Sequence, residues 1–303
     1  MTPRLLLIVN PRSANRSTGR NWRKLRERLR EVLPPFRAIR TAAPGDAARF
    51  AARAAGRYDV VVAVGGDGTI GEVANGLLAN GAGGTALGLL PRGTGSDFVR
   101  TLEIPRDMDE AAALLARGSR RQIDVGHATF TDFAGRRSSR WFVNAAEVGM
   151  GAVVCREVNR AKRRLSGQAA FWWAILTTLR RYTPTVATVV TDGSPARELL
   201  LNNAWIANGC YSGGGMRTAP RARLDDGLLD AVLVEQASGW RRLAGLPKLR
   251  NGTFVDMPEV EYRQAVRVEF AAETPIMMET DGDAVGTTPA TFECLPGGLT
   301  VVA

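Results

Sequence analysis

Short apolar runs and helical stripes alternate through the first third of the chain. Leu5–Val9 is an unbroken apolar run of strand length, and Trp22, Leu25, Leu29, Val32 and Leu33 then recur along one helical face. Pro34 and Pro35 end that helix, because proline lacks the amide that a continuing helix needs. The pattern next predicts a strand at Phe36–Arg40, an alanine-rich helix over Asp46–Ala55 and a strand at Val60–Val64. A helix from Ile70, with apolar positions at Val73, Ala74, Leu77 and Leu78, is followed by a strand at Ala86–Leu90 and a helix at Asp109–Ala116. Strand–helix alternation of this kind predicts a parallel sheet with helices on both faces.

After Arg121 the rhythm changes. Ile123–Phe130, Trp141–Ala146, Val186–Val190, Leu199–Ala207, Leu228–Val234, Ala265–Phe270 and Thr291–Leu295 read as strands separated by Gly, Asp, Pro and Ser turns. One helical interruption is expected at about residues 152–181. The fold class predicted is therefore α/β plus β: an N-terminal doubly wound parallel-sheet domain over residues 1–122 and a mainly antiparallel β-sandwich domain over 123–295. The last segment, about 296–303, is expected to pack back on the first domain. A length of 303 residues agrees with two domains rather than one core.

Composition narrows the function classes. The chain carries a net charge of +10, almost all of its cations being arginine, which suits an anionic partner such as a nucleotide, a nucleic acid or an acidic membrane. A genome that spells basic residues as arginine gives the same balance with no partner at all. Cys155, Cys210 and Cys294 are far apart, which argues against a disulfide framework or zinc cluster and suits a reducing cytosol. His127 is the only histidine, so histidine-based triads and metal sites have little to draw on. The first residues do not read as a signal peptide, and the longest apolar stretch, AAFWWAIL, is far shorter than the roughly 20 residues of a membrane-spanning helix.

The chemistry concentrates at GGDGT, residues 65–69, between the strand ending at Val64 and the helix from Ile70. Ligands of a doubly wound sheet sit beyond the carboxyl ends of its strands. There a helix N-terminus offers free amides, and glycines let phosphate oxygens approach. No Gly-Lys pair exists for a P-loop. A GxGxxG string is present at Gly66–Gly71, but Leu89-Leu90-Pro91-Arg92-Gly93 stands where a dinucleotide fold needs its acid. The remaining reading makes Asp67 work on a metal ion or on a proton beside phosphates, as phosphoryl transfer requires.

GGDGT followed by Glu72-Val73-Ala74-Asn75-Gly76 resembles the diacylglycerol kinase catalytic domain family, which includes sphingosine and ceramide kinases and YegS-type bacterial lipid kinases. Further matches follow in order along nearly the whole chain. They are Asn10-Pro11-Arg12-Ser13-Ala14, Thr41 with Gly45-Asp46-Ala47, Pro91-Arg92-Gly93-Thr94-Gly95-Ser96-Asp97-Phe98, Pro220 to Asp230, and Asp281-Gly282-Asp283 with Pro289.

The resemblance implies an ATP- and Mg²⁺-dependent lipid kinase, with an α/β domain like that of NAD kinase and phosphofructokinase, a β-sandwich domain, and the nucleotide in the cleft between them. It implies that Asn10, Pro11, Arg12, Ser13, Ala14, Thr41, Gly66, Asp67, Gly68, Thr69, Ile70, Gly71, Glu72 and Thr94 hold ATP. Asp226, with the carbonyls of Arg223 and Leu228, would bind Mg²⁺. Asp67, Asp281 and Asp283 are the candidates for the catalytic carboxylate. Ala14, Ser96 and Asp283 stand where the family carries glycine, asparagine and glutamate.

Some residues have a plainer reading, though an acid flanked by glycines, as Asp67 is, gains little from packing. Glu72 sits at capping-box spacing from Thr69, and Asp225, Asp226 and Asp230 surround an ordinary Asp-Gly turn. Lys162, Arg163 and Arg164 read first as a solvated helix face. Phe171, Trp172 and Trp173 read either as core or as a membrane contact, and Ser212–Gly215 as a mobile loop. The expected partners are a membrane lipid substrate and an anionic membrane surface on the cytoplasmic side, with no nucleic acid and with room for a homodimer. The alternatives are a kinase for a soluble acceptor, of the NAD kinase kind, and a non-catalytic nucleotide- or nucleic-acid-binding protein.

Overall fold

A computed structural model describes residues 2–79, 81–93, 95–161, 168–237 and 239–303, the side chains at 161, 168–172, 176, 239, 240, 242–244 and 246 excepted. The chain divides into two compact units, one of residues 1–125 with 296–303 and the other of residues 126–295.

The first unit opens with β1 (Leu5–Val9), a short turn of helix α1 (Ser17–Arg20) and α2 (Trp22–Val32). Then come β2 (Phe36–Arg40), α3 (Asp46–Ala54), β3 (Val60–Gly65), α4 (Asp67–Leu78) and β4 (Ala86–Pro91). The short α5 (Asp97–Thr101) and α6 (Met108–Arg117) complete it. Strand order is β2–β1–β3–β4, all parallel, and Val301 near the chain's end adds a further parallel pairing beside Leu87 of β4. Every residue of β1, β3 and β4 is buried, as a sheet covered on both faces requires, whereas the edge strand β2 has no fully buried position. α3 packs on α4 and α2 on α6. Right-handed crossovers place such pairs on opposite faces of a doubly wound sheet.

The helix predicted from Ile70 begins three residues earlier, so Asp67, Gly68 and Thr69 are its first turn rather than a loop. An acid at that position is favoured by the helix dipole, which offsets the low helix propensity of its glycine neighbour.

The second unit is antiparallel. Its strands are the end of β5 (Arg120–Asp132), β6 (Arg137–Phe142), β7 (Ala145–Gly149), β8 (Thr185–Thr191), β9 (Arg197–Ala207) and β10 (Leu229–Glu235). β11 (Val260–Ala265), β12 (Arg267–Ala271), β13 (Met277–Thr280) and the first part of β14 (Asp283–Val302) complete the set. Pairing runs in a circuit, β9–β7–β13–β14–β12–β8 and back to β9, because the two long strands β9 and β14 change partners along their length. A closed circuit leaves few open edges for unwanted pairing. One apolar core, built around Phe130, Phe142, Phe270 and Phe292, fills it.

Three readings of the sequence need correction here. The strand predicted at Trp141–Ala146 is two strands, β6 and β7, with a break at Val143 and Asn144. The single helical interruption is two helices, α7 (Met150–Ala161) and α8 (Gln168–Arg181). A further helix, α9 (Gly239–Asn251), escaped notice because Pro247 and sparse apolar residues blur its period. No helix among the described residues is long and apolar enough to cross a membrane.

Candidate functional site

The loops that leave β1, β3 and β4 at their carboxyl ends are tied together by side chains. The Asn10 amide donates to the Val64 carbonyl at 3.0 Å. Its side-chain oxygen accepts the Arg12 amide at 2.9 Å, and its side-chain nitrogen donates to Thr69 Oγ1 at 2.9 Å. Ser13 Oγ lies 2.8 Å from both the Asn10 carbonyl and Thr18 Oγ1. Thr41, at the end of β2, joins through its amide to the Val9 carbonyl at 2.9 Å.

Glycines allow these loops to touch. A Cβ on Gly93 would lie 2.7 Å from the Gly66 Cα, and one on Gly65 would lie 2.4 Å from Thr69 Oγ1. Gly68 is different: a Cβ there meets no protein atom within 4 Å, and its φ is not of the left-handed kind. Nothing in the protein's own packing demands glycine at that exposed position. Among the described residues, the amides of Ala14, Asn15 and Gly68 donate to no protein acceptor. This region thus offers free donors and space together, the requirements for seating an anion.

Two departures from the family pattern coincide with backbone strain. Ala14 has φ 48° and begins a run with Asn15 at 53° and Arg16 at 66°. Ser96 has φ 55°. Glycine and asparagine are the residues that tolerate this left-handed region best, which gives a physical reason for the residues the family carries there.

The acids of the first unit have defined partners. Asp67 Oδ2 accepts the Ser96 amide at 2.8 Å, so it fastens the loop before α5. Burial raises its carboxyl above the ordinary range, opposed by the amides of Ser96, Phe98 and Asp97. Glu72 accepts the amides of Gly45 at 3.0 Å and Ala47 at 3.1 Å, capping α3 rather than its own helix. Ile70 is 1% exposed and belongs to the core. Pro11 accepts the Gly19 amide at 3.1 Å, and Arg12 is exposed. Thr94 lies outside the described residues, as do Lys162, Arg163 and Arg164.

Sequence reasoning passed over Arg92 as a candidate. Its Nε lies 3.3 Å from Thr18 Oγ1 and its Nη2 3.0 Å from Ser17 Oγ. The signal was available, since Arg92 directly follows an apolar strand that ends at the same edge as GGDGT.

In the second unit, Asp281 and Asp283 have different surroundings. Asp281 Oδ2 accepts the Val143 amide at 2.9 Å, and its Oδ1 accepts those of Asn144 at 3.0 Å and Ala145 at 3.2 Å. Burial pushes this carboxyl up to about 6 against the pull of those amides. Asp283 Oδ2 accepts Arg140 Nη2 at 2.8 Å, with 46% of its side chain exposed. Between the two, the Gly282 carbonyl accepts Cys155 Sγ at 2.9 Å and Asn159 Nδ2 at 3.1 Å.

Beside this turn, Glu279 faces Glu147 across the β13–β7 ladder, both of them buried. Burial raises the Glu279 carboxyl well above its ordinary value, and the charges of Glu147, Asp281 and Asp283 add to the effect. Ser212, read from sequence as part of a mobile loop, is buried and lies with its Oγ 3.3 Å from Glu147 Oε1, its backbone bridged to Met216. A hydroxyl next to glycines reads as loop until its buried acceptor is seen.

The Asp-Gly turn predicted near Gly227 forms, with Asp226 Oδ1 accepting the Leu228 amide at 3.1 Å and Gln264 Nε2 3.3 Å from Oδ2. Asp230 is fully buried nearby, and burial raises its carboxyl to about 6. One carboxylate with the carbonyls of Arg223 and Leu228 is a hard-oxygen donor set, which suits Mg²⁺. Among the described residues no group of three or more His, Cys, Asp and Glu is arranged for a metal.

A separate open groove of about 760 Å³ lies at the amino-terminal ends of β1 and β2, lined by Arg4, Arg37, Arg53 and Arg57 with Phe36 and Phe50. It is remote from the loops above, and charge along the edge strand β2 guards it against strand addition.

Two family models match consecutive parts of the chain. The family model described as diacylglycerol kinase catalytic domain matches residues 4–128, and that described as YegS C-terminal NAD kinase beta sandwich-like domain matches 144–303. The chain is 31% identical over 98% of its length to a protein named "Probable lipid kinase YegS-like" of Stenotrophomonas maltophilia (strain K279a), covering 94% of it. It is 28% identical over 95% of its length to the diacylglycerol kinase of Bacillus subtilis (strain 168), covering 92% of that protein. A crystal structure of a diacylglycerol kinase from Bacillus anthracis str. Sterne has a TM-score of 0.73 at 23% identity, covering 99% of this chain and 96% of that one, a likeness of fold. The chain belongs to the diacylglycerol kinase catalytic domain family, in its YegS branch.

Proposed function

We propose that the protein is an ATP- and Mg²⁺-dependent lipid kinase that transfers the γ-phosphoryl of ATP to the hydroxyl of diacylglycerol, giving phosphatidic acid. The observation that carries this reading is the open face of Gly68 beside free amides at the carboxyl ends of β1 and β3.

In this reading the amides of Ala14, Asn15 and Gly68 bind the ATP phosphates, and Asn10 and Thr69 hold the two loops in register. Asp67 shapes the turn at Ser96. Asp283 is the best supported base of the three candidates. Asp281 already accepts three amides and Asp67 is buried beneath those of Ser96, Phe98 and Asp97, whereas Asp283 is fixed by Arg140 through one oxygen and keeps a half-exposed carboxylate. Asp283 accepts the lipid hydroxyl proton, the hydroxyl oxygen bonds to the γ-phosphorus, and the bond from that phosphorus to the β–γ bridging oxygen breaks to release ADP. Asp226, with the Arg223 and Leu228 carbonyls, would hold Mg²⁺, which would supply positive charge to offset that of the phosphates.

Trp173, 62% exposed on α8, and the net charge of +10 favour residence at an anionic bilayer on the cytoplasmic face. Such attraction is worth about 1 kcal/mol per basic residue near the surface. Incubation with labelled ATP, Mg²⁺ and mixed micelles of several lipid alcohols is expected to label diacylglycerol. A folded, ATP-binding protein that labels no lipid, or labels NAD without detergent, overturns the assignment.

A further inference from the structure

The catalytic scheme gives no task to Arg92, a partly buried cation at the nucleotide loops. The Arg92 amide donates to the Gly65 carbonyl at 2.6 Å, which pins the residue to the end of β3. Its neighbour Gly93 lies against Gly66. The side chain crosses to the start of α1, where the guanidinium meets two neutral hydroxyls, Ser17 Oγ at 3.0 Å and Thr18 Oγ1 at 3.3 Å. Thr18 is fully buried and also contacts Ser13 Oγ at 2.8 Å, so the guanidinium is held from the same loop that carries the free amides of Ala14 and Asn15.

Among the described residues no carboxylate pairs with Arg92. This distinguishes it from Arg140, which is bound to Asp283, and from Arg4, which is bound to Asp59. A partly buried guanidinium has five N–H donors in a planar fork and loses hydration without gaining a counter-charge. The hydroxyls fix its direction and leave donors over. A phosphate oxygen pair is the anion that such a fork accommodates best.

We infer that Arg92 binds the polyphosphate of the nucleotide and so makes the first unit selective for phosphorylated nucleosides over the bare nucleoside. The inference rests on the nucleotide reading above and adds to it the group that recognises charge. A purely structural tie between β4 and α1 is the competing role. The two differ in what they do to adenosine.

The test measures binding of ATP, ADP and adenosine, without added metal, to the wild-type chain, Arg92→Gln and Arg92→Lys, with melting temperatures taken alongside. Charge-assisted hydrogen bonds of this type are worth about 10- to 100-fold in affinity. Arg92→Gln is expected to weaken ATP by that factor, ADP by less, and adenosine by under about twofold. Arg92→Lys keeps the charge but loses the fork, so it recovers part of the ATP affinity. If Arg92→Gln does not fold, the same contrast between ATP and adenosine is read from Arg92→Lys. Unchanged ATP binding, or equal losses for ATP and adenosine, overturns the assignment while leaving the kinase reading intact. A wild-type chain that binds no nucleotide overturns both.

Discussion

Asn10 and Thr69 stand 59 residues apart, and the Asn10 side-chain nitrogen donates to the Thr69 hydroxyl at 2.9 Å. The same asparagine holds the Arg12 amide, so one side chain sets the separation of two loops. Asn10→Ala removes both bonds and is expected to cost about 1–2 kcal/mol of stability. ATP affinity should fall by about tenfold or more, because the loops lose their register. Urea unfolding and nucleotide titration on the same preparation check this. A variant that unfolds earlier but binds ATP normally contradicts it.

Gly68 separates binding from folding. Alanine is favoured over glycine within a helix by about 1 kcal/mol, and the added methyl meets no protein atom within 4 Å. Gly68→Ala should therefore be as stable as the wild type or more so, yet bind ATP at least about tenfold more weakly because the methyl occupies the phosphate's approach. Gly65→Ala is the control. Its methyl would lie 2.4 Å from Thr69 Oγ1, so it should lower the melting temperature.

The left-handed Ala14, φ 48°, predicts a stabilising substitution. Ala14→Gly relieves a strain of about 1–2 kcal/mol and gives back about half of it through the freer unfolded chain. A net gain of about 0.5–1 kcal/mol in the denaturant midpoint is expected. A loss would mean that the local backbone is not strained.

Glu279 makes stability depend on pH. Its folded-state carboxyl is raised by burial and by Glu147, Asp281 and Asp283, so the folded protein binds more protons than the unfolded one above the ordinary value of 4.5. Stability is therefore fully present below that value and declines as pH rises through the folded-state value. Asp281, raised to about 6, acts in the same direction. Glu279→Gln removes the charge while retaining an acceptor for the Gly282 amide. The variant should match the wild type near pH 5 and exceed it near pH 8 in urea midpoint. Equal slopes against pH for the two proteins would refute the buried pair.

Asp283→Asn tests the proposed base. Removing a general base costs typically 10²- to 10⁴-fold in rate. ATP affinity and melting temperature should stay close to wild type, since Asp283 is half exposed and its carboxylate is held by Arg140 alone among the described residues. Full turnover by the variant would shift attention to Asp67.

Much of the architecture was legible in the chain because burial writes a period. Leu5–Val9, Val60–Val64 and Ala86–Leu90 are continuous apolar runs, and only a strand covered on both faces needs that pattern. The GGDGT motif and its place after a strand were equally plain. Where local propensity was weak, tertiary packing decided instead: α9 tolerates Pro247, and the break between β6 and β7 exists because Asp281 gathers the amides of Val143, Asn144 and Ala145.

The sequence by itself determined which strands form the first sheet and which glycines and acids stand at their carboxyl ends, since both depend on side-chain type and short-range spacing. Only the tertiary structure decided what each acid does. Asp67 meets Ser96, Glu72 meets Gly45 and Ala47, and Asp283 meets Arg140, in every case a partner more than 20 residues away. A carboxylate goes to whichever donors the fold leaves nearby and unsatisfied, and that proximity is written in no local stretch of chain.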